Sequence, residues 1–366
     1  MRVVSPLLKR FVYPSLAAAG YFRAVTRTGL AVITYHGVFP AGYRILHPGF
    51  DGNRITAEAF TQQLRLLKKR YAVISPEEML AWCRGEAKLP ARAVLLTCDD
   101  GSLNNLTEML PILQKERFQC LFFVTGAAAG EKRSTLWYEE LFLLLLRVRA
   151  GEFKIQAAGV EVHGVIREER QGLWWDLVRR LSQESAQTRE SFLRAARTQF
   201  GLEESLEHYR ANYSQGERHF GLMTRAELLQ LSAAGMTIGA HTLTHPILPQ
   251  LPEKIAWSEI AESRSRLESA LGSEIWAFAY PFGDAASVTP EVIAMAQRAE
   301  FGAAFVNFGG GLGAELPRYA IPRVHVTHGM GLAEFEAHVS GFYRSLQRGI
   351  GWAPEEQTGR LGAAHV

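Results

Sequence analysis

Residues 93–101 read A-V-L-L-T-C-D-D-G, and residues 236–245 read M-T-I-G-A-H-T-L-T-H. Each is a short apolar run ending in side chains that bind cations or move protons. Apolar runs of four to eight residues bounded by turn signals are the pattern of buried strands in a parallel sheet. In parallel βα folds, ligands bind at the C-terminal ends of the strands. The position of Asp99, Asp100, His241 and His245 is therefore as informative as their chemistry.

The pattern extends outward in both directions. Ala31 to Thr34 reads as a strand leading into Tyr35 and His36. Thr56 caps a helix carrying Phe60, Leu64 and Leu67 up to Arg70. Ala72 to Ile74 is the next strand, and Ser75-Pro76 opens a helix with proline at its first position. Ala93 to Cys98 is a strand, Leu103 to Glu116 a helix kinked at Pro111, and Phe118 to Val124 a strand. Thr224 and Glu227 have capping-box spacing, and Met236 to Ala240 follows as a strand. Helix Glu253 to Leu271 stops at Gly272, strand Ile275 to Tyr280 follows, and a helix begins after Thr289. Strands near Ala303 to Val306 and Ile321 to Val326 complete the series. Repeated βα units imply an α/β fold with a parallel sheet, open or closed into a barrel.

Between about 131 and 220 the alternation stops. Amphipathic segments Trp137 to Arg149 and Leu173 to Leu181 flank a β-like stretch, Phe153 to Val162, with a turn at Ala157-Ala158-Gly159. This reads as an inserted, mostly helical subdomain. It is expected to cap the strand C-terminal ends, because the chain leaves after Val124 and returns before the helix that leads to His241. The predicted division is an N-terminal arm at 1–30, a barrel at 31–130 and 221–345, the insert at 131–220 and a tail at 346–366.

Composition narrows the class. The chain has 366 residues, 47% hydrophobic and 21% charged, which excludes a disordered, collagenous or coiled-coil protein. Its net charge of +3 speaks against a nucleic-acid partner, and no apolar run reaches the roughly 18 residues of a membrane span. Cys83, Cys98 and Cys120 are too few and odd in number for a disulfide framework, and read as reduced, buried thiols. The first fifty residues hold Arg2, Lys9, Arg10, Arg23, Arg27 and Arg44 but no acid, with Phe11, Val12, Tyr13, Leu16, Tyr21 and Phe22 among them. Three readings stand for this arm: a helix packed on the domain, a peripheral contact with an anionic membrane face, or an export signal interrupted at Tyr13-Pro14. A cytoplasmic protein is expected, with membrane association and export as the alternatives.

The chemistry rests on two pairs. Adjacent carboxylates at a strand tip repel unless a cation is near, and Gly101 lets the chain turn sharply after them. Neighbouring residues point in different directions, so one aspartate can hold a metal while the other faces substrate. The other reading of the pair is a helix N-cap. His241 and His245 stand at i and i+4 and converge if the segment is one helical turn. Two histidines and a carboxylate form a ligand set shared by zinc hydrolases and non-haem iron enzymes. With Asp100 they make a candidate site for a divalent metal, Zn²⁺ first.

These strings resemble the motifs of polysaccharide deacetylases with the NodB-homology domain. Leu96 to Gly101 resembles T-F-D-D-G, His241 to His245 resembles H-[ST]-x-x-H, and Phe278 to Gly283 resembles F-A-Y-P-[FY]-G. Ala31 to Val38, A-V-I-T-Y-H-G-V, resembles the opening strand of many members. The resemblance covers about 31–130 and 221–327. It implies a distorted parallel (β/α) barrel, a divalent metal and removal of an N-acetyl group from an amino sugar in a saccharide or glycoconjugate. By the same resemblance Asp99 is the general base and Asp100, His241 and His245 hold the metal. Tyr280, Pro281 and Phe282 bind substrate, with the Phe282 N–H on the oxyanion. Two departures stand out. Cys98 replaces a phenylalanine and is read as inward-facing. Ala279 stands where many members carry an arginine paired with the base, and Arg323 is read as its replacement. His325, two residues on and on the same face, is the candidate general acid, with His36 the second.

In the insert, Trp137, Tyr138, Trp174 and Trp175 offer rings on which sugars stack. Their helical spacing favours a core role, with one of Trp174 and Trp175 more exposed than the other. Two rivals to the deacetylase reading remain: an amidase or deformylase on a non-sugar substrate, and a non-catalytic carbohydrate-binding relic.

Overall fold

The computed structural model describes residues 4–25, 29–213, 215–310 and 317–349. Arg2, Arg27 and the tail beyond residue 349 lie outside these. The described strands are β1 (Leu30–Tyr35), β2 (Ala72–Val73), β3 (Ala93–Cys98), β4 (Leu121–Val124), β5 (Gly151–Ala157), β6 (Val160–Ile166), β7 (Thr237–Ala240), β8 (Ala277–Ala279), β9 (Ala303–Val306) and β10 (Ile321–His325). All but β5 and β6 pair in parallel, in the order β1-β10-β9-β8-β7-β4-β3-β2, and β1 also pairs with β3. That last pairing closes a barrel of seven strands. β2 stays outside the ring: it takes Ala93 and Val94 of β3, while β4 takes Thr97 and Cys98 on the same edge. The open-sheet alternative is excluded, and the fold is a (β/α) barrel.

Strand parity sorts the side chains. Leu30, Val32, Leu95, Phe123, Ala279 and Phe305 fill the barrel. Their neighbours Ala31, Ile33, Leu96, Phe122, Phe278 and Val306 face the surrounding helices. Gly239 belongs to the inner set, where an added Cβ would meet the Phe123 ring at 2.7 Å. Continued to the strand ends, the same parity turns His36, Asp99, His241, Arg323 and His325 inward. It turns Cys98 outward, into the layer with Tyr35 and Phe60. The inward reading of Cys98 is thereby corrected. Cys98 and Cys120 are buried free thiols, and Cys83, also free, is only partly buried.

The helices start where capping chemistry places them. Thr56 accepts from the Ala59 N–H at 3.1 Å, and Ser75 with Glu78 and Thr224 with Glu227 form full capping boxes. The expected kink at Pro111 takes another form. A π-helical turn, Asn105–Met109, precedes helix Leu110–Glu116. Proline has no N–H to continue the ladder, and the wider turn accommodates that loss.

Residues 131–220 carry a core of their own, including Leu141, Phe142, Phe153, Trp174, Leu177 and Phe192. The β-like stretch is a hairpin of β5 and β6. Its two-residue turn has positive φ at both Ala158 and Gly159, as a type I′ turn requires. Trp174 is buried at 4% and Trp175 is the more exposed of the pair. In the arm, Tyr13 and Phe22 bury against Ala337 and Phe342, while Leu7, Phe11 and Val12 are exposed. Lys9 pairs with Glu334 at 3.1 Å. No described helix is long and apolar enough to cross a membrane.

Candidate active site

The mouth of the barrel holds two charged groups side by side. The first is Asp99 with Arg323. Arg323 Nη1 and Nη2 each donate to one Asp99 oxygen, both at 2.7 Å. Arg323 also donates to Thr97 Oγ1 and the Val306 carbonyl, each at 3.3 Å. Its guanidinium lies over the Phe123 ring at 5.3 Å. Arg323 is thus part of the barrel filling, buried against Phe123. Burial alone would raise the Asp99 carboxyl. Arg323, with His241 and His36, outweighs burial and holds it well below the usual carboxylate range.

The second group is Asp100, His241 and His245, all buried, with one donor atom from each within 4.8 Å of the others. Asp100 Oδ1 lies 3.5 Å from His245 Nε2 and 3.8 Å from His241 Nε2. These distances are too long for good hydrogen bonds. They approach the roughly 3.4 Å separating two donors that each sit about 2.1 Å from a tetrahedral ion. Asp100 Oδ1 is buried with no hydrogen-bond partner in the protein. His241 Nδ1 lies 2.7 Å from the Ala279 carbonyl. A carbonyl only accepts, so Nδ1 carries the proton and Nε2 presents its lone pair to Asp100. Burial lowers both imidazoles, which keeps them in the neutral form that metals bind. Burial, then the Glu139 and Asp99 carboxylates, raises Asp100 well above its ordinary value. The donor set fits a divalent cation, whose charge would reverse that shift.

The histidine pair does not converge through a helical turn, as the i, i+4 spacing suggested. The segment is a loop in which Thr242 and His245 both have positive φ, 63° and 57°. Asp100 at 76° and Phe282 at 60° share this left-handed conformation. Thr242 closes the loop internally: its hydroxyl donates to the His241 carbonyl at 2.6 Å and accepts from the His245 N–H at 3.0 Å.

His36 and His325 meet beside Asp99, with ring centroids 4.9 Å apart. Burial, then His325, lowers His36 well below its ordinary value, so His36 is neutral near pH 7. His325 is the more exposed of the two. Tyr280 does not join this group. Its ring packs on Phe278 in the outer layer, and its hydroxyl donates to the Tyr319 carbonyl at 2.9 Å. The parity that turns Ala279 inward turns Tyr280 away, which corrects its placement among substrate-facing side chains. Pro281 is buried, and Phe282 is partly exposed with its ring 4.9 Å from His245.

The far wall comes from the insert. Tyr138 stands 5.0 Å from the His245 ring and 5.9 Å from Phe282, and Trp175 stands 6.4 Å from Phe282. Each of these three rings is partly exposed. Behind them Arg54 and Glu139 form an ion pair at 2.8 Å, each side chain only 3% exposed. His219 and Asp51 pair at 2.9 Å deeper still. Sequence reasoning missed Arg54, Glu139, Asp51, His219 and Arg189. One signal was present: Glu139 and Glu140 interrupt an otherwise apolar helix, Trp137–Arg147.

Comparison with known proteins agrees with this geometry. Residues 86–191 and 193–303 match the family model for polysaccharide deacetylase. The match runs through most of the segment read as outside the resemblance. It begins after His36 and ends before Arg323 and His325. No curated protein matches the chain in sequence. Among solved structures, the Streptococcus pyogenes deacetylase PplD, in complex with acetate, superimposes with a TM-score of 0.51 at 15% identity, over 86% of this chain and 99% of that one. IcaB from Ammonifex degensii gives 0.50 at 20% identity, over 85% of this chain and 96% of that one. A de-N-acetylase from Aggregatibacter actinomycetemcomitans gives 0.51 at 13% identity, over 85% and 99%. At such identities these likenesses speak for the fold. The family match covers more than half of the chain and includes both aspartates and both histidines, so the chain belongs to the polysaccharide deacetylase family, hydrolases of amide carbon–nitrogen bonds.

Proposed function

We propose that the chain is a metal-dependent N-deacetylase acting on an N-acetylated amino sugar in a saccharide or glycoconjugate. One observation carries the reading: a carboxylate held ionised by Arg323 lies beside an unpaired Asp100, His241 and His245 set fit for a cation. Asp100, His241 and His245 would hold the metal, with Zn²⁺ the first choice for an N₂O set. When bound, the ion supplies polarisation of the acetamide carbonyl and acidification of water, which a base as weak as Asp99 requires.

The residues divide the remaining work. Asp99 takes the proton of the attacking water, and Arg323 keeps its oxygens aimed. The water oxygen bonds to the acetyl carbon and the carbon–nitrogen bond breaks, releasing acetate and the amine. His325 returns a proton to the leaving nitrogen. His36 is the weaker candidate for that step, because burial keeps it neutral. The Phe282 N–H is proposed to steady the oxyanion. The partly exposed Tyr138, Trp175 and Phe282 present rings on which a sugar can stack.

The test is acetate release by metal-loaded protein from N-acetylglucosamine oligomers, lipid-linked N-acetyl sugars and simple acetamides. Release from a saccharide substrate is expected. Release from acetamides alone would favour the amidase reading, and none from any of them the relic.

A further inference from the structure

The insert touches the metal-ligand loop through two side chains that the proposed chemistry does not use. Trp137 Nε1–H donates to the His245 carbonyl at 3.1 Å. Arg189 Nη2 donates to Thr244 Oγ1 at 2.5 Å, one residue before the ligand. Thr244 is gripped from the barrel side as well. Its hydroxyl donates to Glu259 Oε1 at 2.5 Å, and its N–H donates to Glu259 Oε2 at 2.9 Å. Arg189 and Glu259 approach to 4.0 Å with side chains 2% and 6% exposed. The Arg189 guanidinium lies over the Trp137 ring at 5.0 Å.

A buried arginine is costly to desolvate and persists only where its partners use its geometry. Here the partner is a loop with a strained backbone. A non-glycine residue with positive φ is disfavoured, and it holds only where its surroundings fix it. His245 has φ 57°, and its carbonyl is anchored by an indole from the insert.

We propose that the insert is a structural part of the metal centre, with Trp137 and Arg189 acting as positioning residues that set the direction of His245. This rests on the metal-dependent reading above. The insert then makes cation affinity depend on its own docking, beyond any part it plays in recognising sugar.

The experiment titrates metal-free full-length protein with Co²⁺, reading the d–d absorption bands and the affinity by chelator competition. Trp137→Phe keeps an aromatic ring in place and removes the N–H together with part of the indole's volume. Arg189→Met removes the charge, and Arg189→Lys restores it without the fork. Arg197→Met breaks ion pairs with Glu140, Glu190 and Glu204 inside the insert and serves as control. Loss of a group that orients a ligand weakens metal binding about 10- to 100-fold. Both Trp137→Phe and Arg189→Met should fall in that range with altered band positions, Arg189→Lys should recover part of the loss, and Arg197→Met should match wild type. If wild type takes up Co²⁺ and folded Trp137→Phe matches it in affinity and spectrum, the inference fails alone. If wild type takes up none, the metal reading fails and this inference with it.

Discussion

Asp99 and Asp100 are adjacent in the chain and are held by opposite means. Asp99 stands at the end of β3, where the pleat turns it inward, and Arg323 from β10 meets it with two hydrogen bonds of 2.7 Å. Everything that fixes it belongs to the barrel. Asp100 lies one residue further on, with φ 76°. Its neighbours are two loop histidines and, from the insert, the Glu139 carboxylate that raises it. Strand ends inherit their direction from the sheet, while loop residues take theirs from whatever packs around them. The family's general-base position is rigid by construction here, and its ligand position is rigid by bracing. Four of the eight described non-glycine residues with positive φ are Asp100, Thr242, His245 and Phe282, so the strain concentrates on the braced side.

The sharpest way to break this comparison is to exchange each carboxylate for an amide. Asp99→Asn should retain metal and lose turnover by about 10²–10⁴-fold, the ordinary contribution of a general base. Asp100→Asn should lose metal, and activity with it. Metal analysis and acetate release measured on the same samples separate the two. Equal metal loss in both variants would mean that the two aspartates do not divide the work.

Arg323→Met tests the rigid side next. Burial raises Asp99 and Arg323 is the leading cause that lowers it, so removing the guanidinium lets the pKa rise. The base is then protonated over a wider range, and the acidic limb of the turnover profile should move to higher pH. Turnover at neutral pH should fall about 10²-fold through lost aim. Breaking a buried pair from one side should cost about 3–5 kcal/mol in unfolding free energy. Arg323→Lys should restore part of the stability but not the two-pronged contact.

The barrel side was also the legible side. Apolar run length located the strands, and parity from Arg323 to His325 placed both on one face. The missing cation at Ala279 pointed to Arg323 before any contact was visible. Parity was applied to neither Cys98 nor Tyr280, and both were misplaced. The braced side was not legible for a physical reason. The i, i+4 spacing of His241 and His245 is compatible with a helical turn, and only the surrounding contacts select the left-handed loop instead. Arg189 and Glu259 are 70 positions apart in number, and nothing local says that they meet at Thr244. Arg54 and Glu139 are 85 positions apart, a pairing to be chosen among 40 basic and 37 acidic residues.

His325 and His36 sharpen the comparison within the rigid side. If His325 is the proton donor, His325→Ala should lower turnover about 10²-fold with metal retained. His36→Gln should cost less, because a neutral imidazole has no proton to give as a cation. The reverse ranking would move the donor to His36.

The smallest expected effect is a stability difference at mild acid, and it asks whether His36 is neutral in the folded protein. Burial, reinforced by His325, lowers its pKa from the ordinary 6.5. An unfolded chain takes up a proton on this residue below about pH 6.5, whereas the folded chain refuses it. The unfolded state then binds more protons, and stability falls as pH falls, by up to about 1.4 kcal/mol per pH unit. Asp100 and Glu139 act in the opposite sense, since their raised pKa values let the folded state hold protons first. Both remain in His36→Gln, so their contribution largely cancels between variant and wild type. Chemical denaturation of metal-free wild type and His36→Gln from pH 8 to 5 should therefore show the variant gaining on wild type by about 2 kcal/mol at the acid end. A constant difference across that range would mean that folded His36 titrates like a solvated imidazole, and that the barrel mouth is wetter than its burial implies.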